Sequence, residues 1–350
     1  MSLPLALAPR VLPRHVLPLL GGALALLVLA VVQFGAVAIH SADWFSPPWR
    51  DAAFSGGAHV LWQLRLPRLA LAASVGAALG LAGGLSQALF RNPMADPGLL
   101  GVSSGAAAAV ALTLTVFAGL QFSLPPPWRM WLLPAMAFAG ALGVCFALER
   151  LARWLAPGSI AALLLSGLAV QALAFAVEGL CTYLASDEQL RALSFWTLGS
   201  LAGANWAMAG CMLAALWACA WLALRLAPQL NALALGEAAA AHVGIDVQRL
   251  RTLSIAAVAL LSALAVAWCG SIGFIGLMAP HLSRQMLGAD LRQTLPGAML
   301  CGALLLVLAD TLARTLAVPA EIPVGIFSAL IGAPCFLLLL RRAVQRMGTA

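Results

Sequence analysis

Long apolar runs follow one another along the whole chain, and the short segments between them hold most of the arginines and prolines. A helix needs about 20 largely apolar residues to cross the hydrocarbon core, where every backbone polar group must be bonded within the segment. Ten runs approach that length. They cover residues 17–39, 69–90, 99–122, 130–148, 160–183, 205–224, 253–272, 274–287, 295–312 and 322–340. This pattern predicts an all-α polytopic membrane protein with ten transmembrane helices.

Two of the ten runs are irregular. The eighth is short and is interrupted by Pro280, His281 and Arg284, so we expect it to be packed among other helices or to line a cavity. The third begins among glycines and serines. Small residues also recur in the second run, at Gly76, Gly80, Gly83 and Gly84. Because such residues let helix backbones approach closely, they predict a compact bundle.

The first run has some features of a secretory signal. Arg10 and Arg14 precede it, and residues 36–38 imitate a signal-peptidase site. The run from Leu17 to Ile39 is nevertheless longer than the apolar core of a signal peptide, which has about 7 to 15 residues. We therefore expect it to be the first spanning helix and to remain uncleaved.

An even number of spans places both termini on one side of the membrane. With both termini in the cytoplasm, 13 arginines lie on the cytoplasmic side and 6 lie outside. Positive side chains are enriched in cytoplasmic loops, so this count supports ten spans and cytoplasmic termini together. The six arginines placed outside are Arg50, Arg65, Arg68, Arg129, Arg191 and Arg314.

Composition narrows the possible functions. Of 350 residues, 63% are hydrophobic and only 9% are charged, whereas a soluble domain carries about 25% charged residues. All 19 basic residues are arginines, so a Walker A loop, which needs a lysine, is absent. The arginines are scattered singly, which argues against nucleic acid as a partner. The seven cysteines have no metal-site spacing, and short loops leave residues 1–350 as one transmembrane unit.

An ion-coupled secondary transporter is one alternative, because it usually needs ionisable side chains in mid-membrane. Only Glu178 and Asp310 are acidic candidates, and both lie toward the outer ends of their runs. Asp310 has Arg314 four residues later, which predicts a local ion pair on the helix surface. Glu178 is expected either to line a polar mouth or to sit at the membrane interface.

An intramembrane serine protease is a second alternative. Residues 101–105 fit the G-x-S-x-G nucleophile pattern, with Ser103 as nucleophile and His281 as a possible base. The pattern lies at the start of an Ala-rich helix instead of between a strand and a helix. We therefore favour close helix packing at its glycines over proteolysis.

Three segments place polar or helix-breaking residues where a lipid-facing span could not tolerate them. They are residues 64–101, residues 233–246 with Arg249 and Arg251, and residues 270–284 with 321–326 and 332–334. Together they resemble the permease subunits of bacterial ABC importers for iron-siderophores, haem and cobalamin, over about residues 60–340. The resemblance implies a homodimer in the inner membrane, two ATPase subunits that use ATP and Mg²⁺, and a periplasmic binding protein. The chain itself is expected to bind no cofactor or metal.

The resemblance also assigns roles to residues at the two faces. Arg65, Arg68 and Arg314 are expected to receive carboxylates of the binding protein, the alternative being interfacial anchoring of helix ends. A loop over residues 228–251 is expected to couple to the ATPase. Gly236 and Gly244 bracket a short Ala-rich segment there, which predicts a helix whose alternative is a solvated connector. The expected ATPase contacts are Leu235, Gly236, Glu237, Ala240 and His242.

Two further groups follow from the same resemblance. A cytoplasmic gate is expected at Asn92 and Met94 after the second run and at Ser159, Ile160 and Ala161 after the fourth. Asn92 is also followed by proline, a plain helix stop. Residues 195–201 resemble a short re-entrant helix at the periplasmic entrance, the alternative being ordinary interfacial tryptophan. The entrance residues are Trp196, Gly199 and Ser200.

The cargo is the least determined feature. Residues 187–191, 195–201 and 230–237 look most like those of haem permeases, so haem ranks first, ferric siderophore second and cobalamin third. We find no His or Tyr within a span that is placed to ligate haem iron. A smooth pathway that never binds the cargo tightly is therefore expected.

Overall fold

The computed structural model describes residues 13–35, 37–46, 56–119, 123–156, 160–317 and 320–348. Within these ranges the chain is entirely helical, with no strand. The helices are α1 Pro13–Gln33, α2 Gly56–Leu89, α3 Val102–Thr115, α4 Pro126–Leu155, α5 Ile160–Leu184, α6 Asp187–Thr197, α7 Trp206–Leu233, α8 Glu237–His242, α9 Val247–Cys269, α10 Ile275–Leu287, α11 Leu291–Thr315 and α12 Val324–Gly348. Single turns lie at Ser41–Trp44 and Pro97–Leu100.

Each of the ten apolar runs coincides with one of these helices. In the described part of the chain, seven helices are long and apolar enough to cross a membrane, namely α1, α2, α4, α5, α7, α9 and α11. α3 and the apolar part of α12, Val324–Leu338, are shorter, and α10 has 13 residues. The remaining two helices, α6 and α8, are short connectors. The predicted all-α membrane fold is thus confirmed. The number of spans among the described residues is seven if only the long helices are counted, and it is ten if α3, α10 and α12 are included.

α2 lies at the centre of the bundle and is buried along almost its whole length. It packs against α7, α9, α10 and, most extensively, α11. A Cβ atom added at Gly76 would meet the carbonyl oxygen of Gly302 in α11, and one added at Gly83 would meet that of Gly276 in α10. Backbone therefore packs directly on backbone, as predicted from the small residues of the second run. α2 is apolar on all sides because all of its sides are covered.

The start of α2 contains a wide turn. Val60–Arg65 has π-helical hydrogen bonds and is followed by Pro67, which has no N–H to donate to the preceding turn. The wider turn accommodates the proline ring without ending the helix. Arg65 and Arg68 lie on either side of that proline. This end of the bundle, where Arg65, Arg68 and Arg314 lie, is called the arginine end below.

α10 is short because it begins inside the bundle. The segment between α9 and α10 turns inward at Phe274, which has a left-handed backbone conformation with φ of 66°. The next residues lie beside the middle of α2, with Gly276 close to the carbonyl of Leu79. Farther along, Arg284 donates to the side-chain oxygen of Gln87 in α2 at 2.8 Å. As expected for an interrupted run, α10 is packed among other helices.

We predict that Gly83→Ala destabilises the protein, because the new methyl group would overlap the Gly276 carbonyl. Forcing extra atoms into a packed interior costs about 1–3 kcal/mol. Gly143→Ala in α4 is the matched control, since a Cβ there meets nothing within 4 Å. The measurement is the temperature at which half of the detergent-purified protein loses its monodisperse size-exclusion peak. Equal temperatures for the two variants would contradict backbone contact at Gly83.

Candidate functional site

Arg68 holds two carboxylates at the arginine end. Its Nε lies 3.1 Å from each carboxylate oxygen of Asp310 in α11, and its Nη2 lies 2.8 Å from Oδ1. Its Nη1 donates to both oxygens of Glu321, at 2.9 and 2.8 Å. The side chains of Asp310, Arg68 and Glu321 are 0%, 15% and 45% exposed, respectively. The ion pair with Asp310 is therefore internal, and the one with Glu321 lies at the surface.

This arrangement corrects the predicted ion pair between Asp310 and Arg314. The i,i+4 spacing is present in α11, but Asp310 turns into the bundle and pairs with Arg68 of α2. Arg314 instead donates to the carbonyl oxygens of Phe34, at 2.9 Å, and Val31, at 2.8 Å. A buried carboxylate needs a partner beside it, and α2 supplies one in the interior.

Arg65 is similarly engaged with the end of α1. It is only 7% exposed, and its two Nη atoms donate to the carbonyl oxygens of Val32 and Val37, both at 2.6 Å. The last carbonyls of a helix have no partner within the helix and carry partial negative charge. Arg65 and Arg314 together satisfy carbonyls at this helix end and just beyond it. The anchoring alternative thus has direct structural support for both residues.

The three arginines nevertheless share one cavity. It has a volume of about 390 Å³ and lies between α2, α11 and the loop that follows α6. Polar side chains line it together with Val37, Leu64 and Leu69. The polar lining consists of Arg65, Arg68, Asp310, Arg314 and Glu321. The structure therefore brings the three predicted docking arginines to one site, each already bonded within the chain.

The opposite end of the bundle holds α8, whose existence and bounds agree with the prediction. Gly236 precedes it with φ of 120°, and Gly244 follows with φ of 83°. Leu235 is 81% exposed, and His242 is exposed and bonds the carbonyl of Ala238 at 2.9 Å. Ala240, in contrast, is fully buried. Its methyl group packs inward, so it supports the helix and does not face a partner.

Two contacts fix α8 and its flanks to the bundle, and the sequence did not predict either. Glu237 accepts from Arg251 of α9 at 2.9 Å. Asn231, near the end of α7, donates to Asp290 at 2.7 Å and accepts from the backbone N–H of Leu291 at 3.1 Å. Hydrogen bonds from the Arg292 backbone and from Asn231 hold the pKa of Asp290 below its usual value. The coupling loop is thereby joined to the first turn of α11.

The predicted gate residues lie at this same end. Asn92 accepts from the backbone N–H of Met94 at 2.9 Å in the loop after α2. Ile160 and Ala161 form the start of α5, and Ser159 lies outside the described residues. The single turn Pro97–Leu100 follows the first of these segments, and its Leu99 carbonyl lies against α5 at Gly167.

The predicted entrance residues lie where α6, α12 and the α9–α10 segment meet. α6 begins at Asp187 and ends at Thr197, so Gly199 and Ser200 follow the helix and are not within it. Ser200 donates its backbone N–H to Cys269 at 2.8 Å, and Gly199 accepts from Val324 at 3.1 Å. A cavity of about 670 Å³ lies beside them, against α12 and Phe274.

The remaining candidate chemistry has structural explanations. Gly105 of the G-x-S-x-G pattern packs against Gly140 and Val144 of α4, as its packing interpretation predicted. Glu178 is half-buried in α5. No group of three or more His, Cys, Asp or Glu side chains that could hold a metal occurs among the described residues.

Comparison with known proteins decides the family. A model of the FecCD transport family matches residues 23–342. The chain belongs to the FecCD transport family. The predicted permease resemblance is thus confirmed, and with it the role of a transport component that is not an enzyme. A FecCD chain with this many apolar helices is a multi-pass membrane protein.

Individual relatives of this FecCD chain cover almost all of it. The hemin transport system permease protein HmuU of Yersinia pestis is 43% identical over 97% of this chain and 99% of its own length. The vitamin B12 import system permease protein BtuC of Citrobacter koseri is 40% identical over 91% of this chain and 92% of its own length. BtuC of Escherichia coli O139:H28 is also 40% identical, over 87% and 88%.

Solved structures agree with this assignment. A metal-chelate type ABC transporter in an inward-facing conformation superposes with a TM-score of 0.80 and 32% identity, over 94% of this chain and 99% of that one. PsaBC from Streptococcus pneumoniae, in complex with Fab, superposes with a TM-score of 0.53 and 16% identity, over 78% and 90%. The second likeness concerns the fold alone.

We predict that Asp310→Asn lowers stability by about 3–5 kcal/mol, the usual cost of removing one partner from a buried ion pair. Glu321→Gln removes the partner on the other side of the same guanidinium, at the surface. Its effect is expected to stay within about 1 kcal/mol. Thermal unfolding of both variants in detergent checks this. Similar losses for the two would show that the internal pair does not hold α2 to α11.

Proposed function

We propose that this chain is the permease subunit of an ATP-driven importer that moves haem from the periplasm to the cytoplasm. The observation that carries this proposal is the 43% identity with a hemin transport permease across nearly the full length of both chains. The permease role rests on the family, whereas haem rests on that relative. Ferric siderophore and cobalamin are the alternatives within the family, and BtuC at 40% identity supports the latter.

We propose three kinds of partner with separate roles. A separate pair of ATPase subunits uses ATP and Mg²⁺, since the chain has no lysine for a Walker A loop. A periplasmic binding protein supplies the cargo, and a second copy of this chain completes the pathway. The chain acts as one transmembrane domain in the bacterial inner membrane, with both termini in the cytoplasm. It binds no cofactor or metal of its own.

The two ends of the bundle support this division. The arginine end offers a cavity lined by three guanidinium groups, which suits the acidic side chains of a binding protein. The other end offers the exposed His242 on α8 and the exposed Leu235 two residues before that helix, which the pair of Glu237 and Arg251 joins to α9. That surface suits insertion into a groove of an ATPase. We propose that the cavity beside Phe274 faces the second copy, which would close it into a pathway.

Reconstitution tests the function and its rivals together. The permease is incorporated into proteoliposomes with its ATPase, and uptake is measured with binding protein loaded with haem, ferric siderophore or cobalamin. We expect ATP-dependent haem uptake that needs both partners. Uptake driven by a proton gradient with this chain alone would select a secondary transporter. Preference for another cargo would keep the permease role and replace haem.

We predict that Arg314→Glu weakens docking of the binding protein at least about tenfold, because a repulsive charge replaces an attractive one in the cavity. Arg191→Glu is the control, since Arg191 is exposed on α6 and does not line the cavity. Binding to the nanodisc-embedded transporter is measured by biolayer interferometry. Arg314→Lys, which keeps the charge, is expected to retain part of the affinity. Unchanged docking of Arg314→Glu would leave this residue with only its anchoring role.

We predict that Leu235→Asp prevents stable assembly with the ATPase while leaving the permease folded, because this side chain is almost fully exposed. Ala192→Asp adds the same charge at an exposed position of α6, outside the coupling loop, and serves as control. Co-purification and cargo-stimulated ATP hydrolysis are the measurements. Normal assembly of Leu235→Asp would place the ATPase contact elsewhere.

A further inference from the structure

Glu321 occupies the exposed side of Arg68. Both of its carboxylate oxygens lie within hydrogen-bond distance of the same Nη1 atom. Asp310 takes the opposite, internal side of the guanidinium. Of the two carboxylates on Arg68, only Glu321 can leave without a buried charge losing its partner, because only Glu321 has access to water.

The backbone around Glu321 presents the carboxylate to Arg68. The next residue, Ile322, donates its N–H to the carbonyl of Ala313 in α11 at 3.1 Å. Two residues farther on, Val324 donates to Gly199 at 3.1 Å. Glu321 is thus fixed on its C-terminal side to two different parts of the bundle. Its contact with Arg68 is built into the loop before α12.

The cavity at the arginine end gives a second acidic side chain room to enter. Its volume of about 390 Å³ is large enough to hold a carboxylate side chain, and Glu321 is part of its lining. Arg65 and Arg314 already donate to the carbonyls around the end of α1. An incoming carboxylate that reaches Arg68 on its exposed side would need the Nη1 group that Glu321 holds.

We propose that Glu321 occupies the position of an acidic side chain of the docking partner, and that docking displaces it from Arg68. This inference rests on the proposed function, with the periplasmic binding protein as the partner. The exchange replaces one carboxylate by another, so the guanidinium never loses its counter-charge. Glu321 therefore lowers the affinity of docking by competing for the same donor, and partners without an acidic group gain no access to it.

Displacement has a consequence for α12. Glu321 belongs to the loop that leads into that helix, and α12 lines the cavity beside Phe274. When Glu321 leaves Arg68, the loop loses its only described ion pair with α2. Docking at the arginine end thus changes one side-chain contact of the loop that leads into α12.

The test compares Glu321→Gln with wild type in the complete transporter. The transporter is embedded in phosphatidylcholine nanodiscs, so that no anionic headgroup competes, and the Kd for ligand-free binding protein is measured. We expect Glu321→Gln to bind about two- to fivefold more tightly, the factor that an exposed ion pair represents. Glu188→Gln removes the same charge from the exposed first turn of α6 and is expected to leave the Kd unchanged.

The outcomes separate this inference from the proposed function. A Kd of Glu321→Gln equal to or above that of wild type would overturn the competition, because Glu321 would then be neutral or would support docking. An equal gain in Glu188→Gln would also overturn it, since general charge would explain the effect. If wild type fails to bind the protein at all, the proposed function fails and the inference fails with it. Tighter binding confined to Glu321→Gln supports both.

Discussion

Direct backbone contact between α2 and its neighbours α10 and α11 is the constraint on which the other features depend. The carbonyls of Gly276 and Gly302 occupy the space that side chains would need at Gly83 and Gly76. This contact fixes the position of α11 along α2. Asp310 consequently lies opposite Arg68, and the first turn of α11 lies where Asn231 reaches it. Both ends of the bundle thus depend on the same glycines.

Much of this architecture follows from the sequence because the membrane limits the choices. Apolar run length predicted the helices, and Gly236 with Gly244 predicted α8. Pairings between distant segments were not predictable in the same way. The spacing of Asp310 and Arg314 suggested a local pair, yet the rotation of α11 decides which side chain faces α2. Spacing along the chain carries no information on that rotation.

The candidate site, too, was predicted from the sequence only in part. The family motifs located the three arginines, but not the carbonyls at the end of α1 that two of them bond. Glu321 belongs to the motif at residues 321–326, but the sequence assigned it no role. Only the path of the loop before α12 brings its side chain to Arg68. Ala240 faces inward, since α8 packs one side against the bundle. In each case the missing information was the direction of a side chain, which a short segment does not determine.

The spacing of the glycines in α2 also limits how the protein can move. If α2 slid one helical turn in one direction, Gln87 would take the place of Gly83 against the Gly276 carbonyl. A slide in the other direction would bring Ala72 against the Gly302 carbonyl. Both displacements are blocked by steric overlap with main-chain atoms, which cannot adopt another rotamer. Any rearrangement of the bundle that preserves these contacts therefore leaves α2 in register with α10 and α11.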